Sequence, residues 1–164
     1  MSEPRADRPY MPGYGVLPPA EGGGVLPWEW ATERLDRSRE YWVSSVRPDG
    51  RPHASPVWGV WHDGLVWFSC SGESRKAKNL DRDPRCVVTT NDAVQPVIVE
   101  GSAGRIRDRS PIERYTELTN DKYGVSYEID FYLANAVFAV SPATVFGLDD
   151  ENFTGSPTRW HFCG

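Results

Sequence analysis

The sequence predicts a mainly β (α+β) fold, in which short strands form a closed or partly closed antiparallel barrel with short helices outside it. Asp49-Gly50 and Asp63-Gly64 separate runs rich in β-branched and aromatic residues, which is a strong hairpin signal. The early strands follow one another too closely for the helical crossovers of a parallel sheet. Glycines within the strands provide the bends that a barrel requires.

The first half of the chain divides into an arm, a helix and several strands. Residues 1–27 are rich in proline and glycine and predict an irregular arm, so the single domain is expected over residues 28–164. Trp28–Arg39 predicts an amphipathic helix, because its apolar side chains recur on one face. Strands are predicted at Tyr41–Arg47, Ala54–Trp61, Leu65–Cys70, Arg85–Thr90 and Pro96–Arg107.

The second half predicts two helices and three further strand-like segments. The first helix spans Ser110–Tyr123, with Ser110 as its cap and Glu113 completing a capping box. Within the preceding strand, Gly101 and Gly104 predict a bulge or a sharp bend. The remaining elements are a short helix at Tyr127–Leu133 and strands at Ala136–Val140, Thr144–Leu148 and Thr158–Phe162.

A short basic helix follows the third strand. Ser74 is predicted to cap a helix at Arg75–Leu80, which carries the cations Arg75, Lys76 and Lys78. Cations are disfavoured at a helix start, where the free N–H groups prefer anions. Basic side chains beside those N–H groups therefore predict a phosphate-binding site. The alternative is a solvated basic helix whose charge is balanced by the acidic residues around it.

Composition and charge exclude several classes of protein. The 164 residues suit one domain, and a net charge of −5 argues against nucleic-acid binding as the main role. No run approaches the ~18 apolar residues of a membrane span, so no membrane partner is expected. The N-terminus lacks a basic and then apolar leader pattern, which predicts a cytoplasmic protein.

The residues that most often ligate metals or catalyse hydrolysis are sparse. The three cysteines, Cys70, Cys86 and Cys163, fit neither a disulfide framework nor a CxxC spacing. The three histidines, His53, His62 and His161, lack zinc-site spacing, so no metal is expected. GxSxG, GxGxxG and P-loop motifs are also missing, which argues against hydrolase, Rossmann and P-loop sites.

Seven tryptophans are more than an ordinary core of this size needs, and they suggest a flat ligand, a large interface or both. The aromatic residues Trp58, Trp61, Trp67 and Phe68 lie on the strand pair that leads to the basic helix. Polar Ser69 and Cys70 follow where a ring would need hydrogen-bonding partners. Core packing is the alternative for these tryptophans, and we favour it for Trp61 and Trp67.

The order of these segments resembles the pyridoxamine 5'-phosphate oxidase-like split-barrel family. The resemblance rests on the segments GRPHASPVWGVW, LVWFSC, SRKAKNL, DPRCVVTT and TRWHF, and it covers about Trp28 to Phe162. The amino-acid sequences of these segments are most similar to an actinobacterial branch of flavin and deazaflavin oxidoreductases. The resemblance implies a fold of the FMN-binding split-barrel type, and a homodimer with the cofactor at the subunit interface.

The same resemblance implies which residues contact the cofactor. By position they are Val57, Trp58, Ser69, Cys70, Ser74, Arg75, Lys76, Lys78, Asn79 and Trp160, with Arg159 beside the last. Ser74, Arg75 and Lys76 match the family's phosphate-binding SRK. Ser55 and Val60 stand where true pyridoxamine-phosphate oxidases have Arg and Lys, and neither supplies a charged donor. The resemblance therefore implies a different substrate.

The branch implies hydride transfer from coenzyme F420, a deazaflavin with an anionic tail, to a flat conjugated molecule such as a quinone, enone or tetrapyrrole. FMN is the alternative cofactor. His161 and Tyr41 are candidate proton donors because both side chains can give a proton. A rival interpretation is a non-catalytic dimer that binds flavin or haem, with His53 or His62 as the iron ligand.

Overall fold

The computed structural model describes residues 4–162, and these contain eight strands and four α-helices. The strands are β1 (Arg5–Asp7), β2 (Glu40–Val46), β3 (Pro52–His62), β4 (Leu65–Cys70), β5 (Arg85–Thr90), β6 (Val97–Ile106), β7 (Ala136–Gly147) and β8 (Thr158–His161). The helices are α1 (Trp28–Arg37), α2 (Arg75–Arg82), α3 (Arg109–Tyr123) and α4 (Ile129–Leu133), and a 3₁₀ turn covers Asp150–Asn152.

Six strands close into an antiparallel barrel. Their order around the barrel is β7, β4, β3, β2, β5 and β6, and β6 pairs again with β7. β8 adds to the outer edge of β7, and β1 adds to β8. The predicted mainly β antiparallel barrel with short helices outside is therefore confirmed.

The two Asp-Gly turns have the predicted backbone. Gly50 has a φ of 83°, and Asp63 and Gly64 have φ values of 51° and 74°. Two successive residues with positive φ match the right-handed twist of a hairpin. These turns place β2, β3 and β4 side by side, as the sequence predicts.

The segment from 136 to 147 differs from its prediction. Two strands are expected there, but one strand, β7, runs through Pro142 without interruption. Pro142 lies opposite Gly101, beside the register shift between Glu100 and Gly101. A proline is tolerated at a bulge because the ladder is already interrupted there. The bulge predicted from Gly101 is thus confirmed, and it also explains the continuous strand.

The start of α3 was predicted wrongly. The helix begins at Arg109 with Asp108 in the capping position, and no side chain caps it. Ser110 lies inside the first turn, and Glu113 pairs with Arg109 at 3.0 Å instead of completing a capping box. The N–H groups of the first turn have no partner within a helix, so Pro111, the third residue of α3, is tolerated there. The following helix, α4, begins two residues later than predicted.

The N-terminal arm, which was expected to be irregular, contains the short strand β1. Arg8 holds the rest of the described arm by donating to the carbonyl oxygens of Pro157, Glu21 and Gly24 at 2.9, 3.1 and 2.9 Å. One guanidinium can serve several carbonyls because it has five donors in a planar fork. The arm therefore packs against the segment that leads into β8.

Two hydrophobic clusters hold the elements together. The larger one fills the barrel beneath α1 and includes Tyr41, Phe68 and Trp160. The smaller one lies between the barrel and α3 and includes Val60 and Tyr115. Within residues 4–162, none of the helices has both the length and the apolar character needed to cross a membrane.

Candidate functional site

Strand β3 changes partners in its middle. Residues Pro52–Trp58 pair with β2, whereas Gly59–His62 pair with β4. On the side away from β2, no strand of residues 4–162 pairs with Pro52–Trp58, so this edge of the barrel is open. Pro52 and Pro56 both lie in this half, and proline is tolerated at an edge because no ladder bond needs its N–H. Backbone groups along this open edge are free to bind a ligand.

Helix α2 lies beside the open edge, and its start is well defined. The Oγ atom of Ser74 accepts a hydrogen bond from the backbone N–H of Ala77 at 3.3 Å, which confirms the predicted cap. Asn79 is buried, and its Nδ2 donates to Oγ of Ser45 on β2 at 3.0 Å. This bond ties α2 to the barrel and directs its first turn.

The predicted cations of α2 differ in their surroundings. Arg75 is exposed and Lys76 is half-buried, and neither has a carboxylate within salt-bridge distance among residues 4–162. Lys78, in contrast, has its Nζ 2.8 Å from a carboxylate oxygen of Glu73. That partner holds the pKa of Glu73 below its usual range, by a hydrogen bond and by its charge. Arg75 and Lys76 are therefore the side chains available to an anion.

Sequence reasoning missed a fourth cation near α2. Arg105 of β6 has its Nη1 2.7 Å from the Asp81 carboxylate, and its Nη2 lies near Gly72. Arg105 is 24 residues from Asp81 along the chain, so no local pattern connects them. Arg105 thus pairs with Asp81, the acidic residue of α2, and the first turn of the helix keeps its positive charge.

Within the described part of the chain, three buried polar atoms near this helix have no hydrogen-bond partner. They are Nδ1 of His53, Oγ of Ser55 and Oδ1 of Asn79. His53 and Ser55 share the inner face of β3, because alternate residues of a strand point the same way. Buried polar atoms are nearly always bonded, and those that are not call for a ligand or a water. The polar cluster of His53, Ser55 and Asn79, beside free cations, fits the anionic and hydrogen-bonding end of a cofactor.

Ser69 and Cys70 end β4 as predicted, but they point to opposite faces. Cys70 faces inward with Phe68, and burial raises the pKa of its thiol, although the Ser74 hydroxyl partly opposes this. Ser69 faces α3 and lies beside Tyr115. One ring therefore cannot contact both side chains, although it can contact the backbone between them.

Val57 and Trp58 occupy the point where β3 changes partners. Val57 is buried inside the barrel, and Trp58 is 42% exposed on the outer face. The indole of Trp58 stacks on Tyr123 of α3. Its backbone belongs to the open edge, and its exposed ring offers a flat apolar surface.

Three other predicted residues, all in β8, lie away from this edge. Trp160 is 1% exposed and packs against Trp28 within the core, so it offers no surface to a ligand. Its neighbour Arg159 is half-buried in β8. Tyr41 of β2 lies opposite Val57, is fully buried, and donates its hydroxyl to the carbonyl of Leu35, so its role as a proton donor stays a prediction.

His161, the other predicted proton donor, lies 3.1 Å from the Asp7 carboxylate, where β1 meets β8. Like Trp160 and Arg159 it belongs to β8, which pairs with β1 and β7 and not with the open edge. Its position gives no support to a role in proton donation at α2.

Lys122 and Tyr123 are residues near Trp58 that sequence reasoning missed. The Nζ of Lys122 donates to the carbonyl oxygen of Gly59 at 2.9 Å and to Oη of Tyr41 at 3.2 Å. Burial lowers the pKa of Lys122 to about 8, against the pull of nearby carboxylates. The α3 pattern alone does not reveal that its C-terminal turn packs onto β3.

The outer face of the barrel carries an apolar groove of about 930 Å³. Its lining includes Ser44, Val46, Arg85, Val87, Thr144 and Phe162. Trp42 shares the outward side of β2 with Val46, and the two side chains are 41% and 37% exposed. Exposed apolar surface of this extent commonly marks an interface.

Residues 29–149 match the family described as pyridoxamine 5'-phosphate oxidase, and the chain belongs to that family. The match spans the barrel from α1 to the end of β7, including β3 and α2. It agrees with the resemblance identified from the sequence. No curated protein matches the chain.

Several solved structures share the fold. A conserved hypothetical protein from Mycobacterium tuberculosis is 22% identical with a TM-score of 0.71, over 77% of this chain and 87% of that one. An F420 reductase is also 22% identical with a TM-score of 0.58, over 69% and 93%. The haem storage protein HutZ from Vibrio cholerae is 18% identical with a TM-score of 0.58, over 68% and 86%.

Proposed function

We propose that this protein is an oxidoreductase that binds coenzyme F420 along the open edge of β3 and reduces a flat conjugated small molecule. FMN is the alternative cofactor. The observation that carries the proposal is the open edge Pro52–Trp58, which lies beside a helix start whose cations Arg75 and Lys76 have no carboxylate partner among residues 4–162. An F420 reductase with the same fold supports the choice of cofactor.

The chain's own residues would bind and orient the cofactor. Arg75 and Lys76 supply charge-assisted donors for its anionic end, together with the free N–H groups of α2. The backbone of Pro52–Trp58 supplies hydrogen bonds to the polar edge of the rings. When bound, the deazaflavin supplies the hydride. The exposed ring of Trp58 is placed to hold an aromatic acceptor by stacking.

Oxidation of pyridoxamine phosphate is not part of the proposal. Val60 is 4% exposed beneath α3, and Ser55 is a short neutral side chain on the inner face of β3. Neither can replace a cationic donor to a substrate phosphate. The polar cluster thus favours one anionic group at α2 over a second phosphate site on β3.

We further propose a homodimer that forms through the outer face of the barrel. Trp42, Val46 and the groove give this face an apolar centre, and Arg85 and Glu100 supply charges of both signs. A symmetric dimer places the same patch of each subunit in contact, so opposite charges on one patch can pair across the axis. The partner would then cover the open edge and exclude water from the rings.

Cofactor binding gives the direct test. The purified protein is titrated against coenzyme F420 and, separately, against FMN, and the cofactor fluorescence is followed. We expect saturable quenching of F420 fluorescence with micromolar or tighter affinity. Retention of FMN through purification without F420 binding would select the alternative cofactor, and binding of neither would reject the proposal.

Haem binding is the second candidate, because Nδ1 of His53 is unpartnered and HutZ shares the fold. A neutral imidazole is the usual axial ligand of haem iron. The absorbance spectrum after incubation with haemin distinguishes the two functions. The F420 proposal predicts no sharp Soret band, whereas a band that is lost in His53→Gln would favour haem.

A further inference from the structure

The structure assigns a separate role to His53: we propose that it takes up a proton when the anionic end of the cofactor binds, so that binding is coupled to protonation. This inference rests on the proposed function, since the anion is that of the cofactor. It makes His53 a pH-dependent member of the site, beside the cations Arg75 and Lys76.

The position of His53 is the first argument. It lies directly opposite Ser45 in the β2–β3 ladder, and Ser45 is bonded to Asn79 of α2. The imidazole is therefore on the inner face of β3, next to the helix that carries the cations. Its Nδ1 is buried, and neither this atom nor the neighbouring Oγ of Ser55 has a hydrogen-bond partner among the residues from 4 to 162. A bound anion would supply the acceptor that a protonated imidazole lacks here.

The charges around His53 are the second argument. Burial lowers the pKa of the imidazole, and the positive charges of Arg47, Lys76 and Arg75 lower it further. Arg47 comes from the turn between β2 and β3, and the other two come from α2, so cations act on His53 from two elements. Without an anion, both effects favour the neutral ring.

An anion at α2 would act against the cations of that helix. Its negative charge compensates Arg75 and Lys76 and favours the imidazolium, so the pKa of His53 rises in the complex. A group whose pKa is higher in the complex than in the free protein strengthens binding at pH values below its pKa in the free protein. That contribution to binding is lost as the pH rises through the pKa that the group has in the complex. The affinity for the cofactor should thus increase as the pH falls from 8 to 6.

The experiment compares cofactor dissociation constants at pH 6 and pH 8 for the natural chain, His53→Gln and His62→Gln. His62 lies at the other end of β3, so its variant controls for the loss of a histidine. We expect binding to tighten about three- to tenfold more in the natural chain and in His62→Gln than in His53→Gln. Titration of the cofactor itself is common to all three proteins and cancels in this comparison.

A second measurement uses only the natural chain, so it does not require any variant to fold. The pKa of His53 in the natural chain is followed by NMR with and without F420, FMN or inorganic phosphate. A rise on binding supports the inference, and an unchanged value overturns it. If neither cofactor binds at any pH, the proposed function fails. The phosphate titration then decides the His53 inference alone, and no shift with phosphate would overturn it too.

Discussion

The indole of Trp58 stacks on the phenol of Tyr123, with ring centroids 4.2 Å apart and planes inclined by 5°. The Oη of Tyr123 accepts from the N–H of Gly59 at 2.8 Å and donates to the carbonyl of Arg39. β2 begins only at Glu40, so Gly59 has no strand partner on that side. Tyr123 supplies the missing bonds and holds Trp58 where β3 changes partners.

Tyr123→Phe keeps the stacked ring but removes the hydroxyl. The buried N–H of Gly59 then has no acceptor, and we expect the free energy of unfolding to fall by about 1–3 kcal/mol. Urea denaturation measures this change. Tyr127→Phe is the control, because Tyr127 is 42% exposed and stacks on Phe131 without such a bond. Equal stability of the two variants would contradict the role given to Tyr123.

Replacing both Arg75 and Lys76 by alanine tests the anion site. Two charge-assisted bonds are lost, so we expect F420 binding to weaken by about 2–4 kcal/mol. Replacing Arg109 and Arg114 on α3 by alanine is the matched control, since it removes the same charge from another exposed helix surface. Unchanged affinity in the α2 variant would mean that its basic face is only solvated surface.

Val46→Asp tests the proposed dimer face. A carboxylate placed in a desolvated interface without a partner is costly, so we expect the dimer to dissociate at micromolar concentrations. Sedimentation velocity measures the mass. Val94→Asp is the control, because Val94 is 56% exposed in the loop after β5. A dimer that persists in Val46→Asp would place the interface elsewhere.

Alanine substitutions at Gly101 and Gly104 of β6 provide a matched pair of variants. A Cβ at Gly101 would lie 2.2 Å from the carbonyl oxygen of Ser141, whereas at Gly104 the nearest atom is 3.8 Å away. Gly101→Ala must therefore push β6 and β7 apart, at a cost of about 1–3 kcal/mol or more. Gly104→Ala should change the free energy of unfolding by less than about 1 kcal/mol. Thermal and urea unfolding measure both, and similar values would contradict the close contact.

The pH dependence of stability reports on Lys122. Its pKa is about 8 in the folded chain, below its ordinary value of 10.5, so the unfolded chain binds more protons between these values. The free energy of unfolding therefore gains a contribution that rises with pH in that interval. We expect roughly 1 kcal/mol between pH 8 and 9.5, because the half-exposed amine is screened. In Lys122→Met this rise should disappear, and equal slopes would contradict the assignment.

The local elements of the fold could be predicted from sequence because short-range preferences decide them. Positive φ at Gly50 and Gly64 follows from the residue type, and strands β4 and β5 coincide with their predicted bounds. The predicted cap at Ser74 is present for the same reason. The start of α3 was missed because no side chain marks it, and Ser110 offered a false signal.

The candidate site was predictable only in part. Arg75 and Lys76 could be predicted as anion-binding residues because cations at a helix start are unusual in any fold. Lys122 and Arg105 gain their roles from partners far along the chain, and Lys122 meets Gly59 across 63 residues. The family resemblance implied a cofactor contact for Trp160, and only the tertiary structure shows that this side chain packs against Trp28 in the core.

The sequence by itself determined the hairpin turns between β2, β3 and β4 and the basic helix start, because each depends on backbone and side-chain preferences over a few residues. Only the tertiary structure decided which half of β3 would remain unpaired, and which polar atoms would meet there. That outcome depends on how far β2 and β4 extend along β3 as the barrel closes. Strand pairing is a long-range choice, and no short segment of the chain specifies it alone.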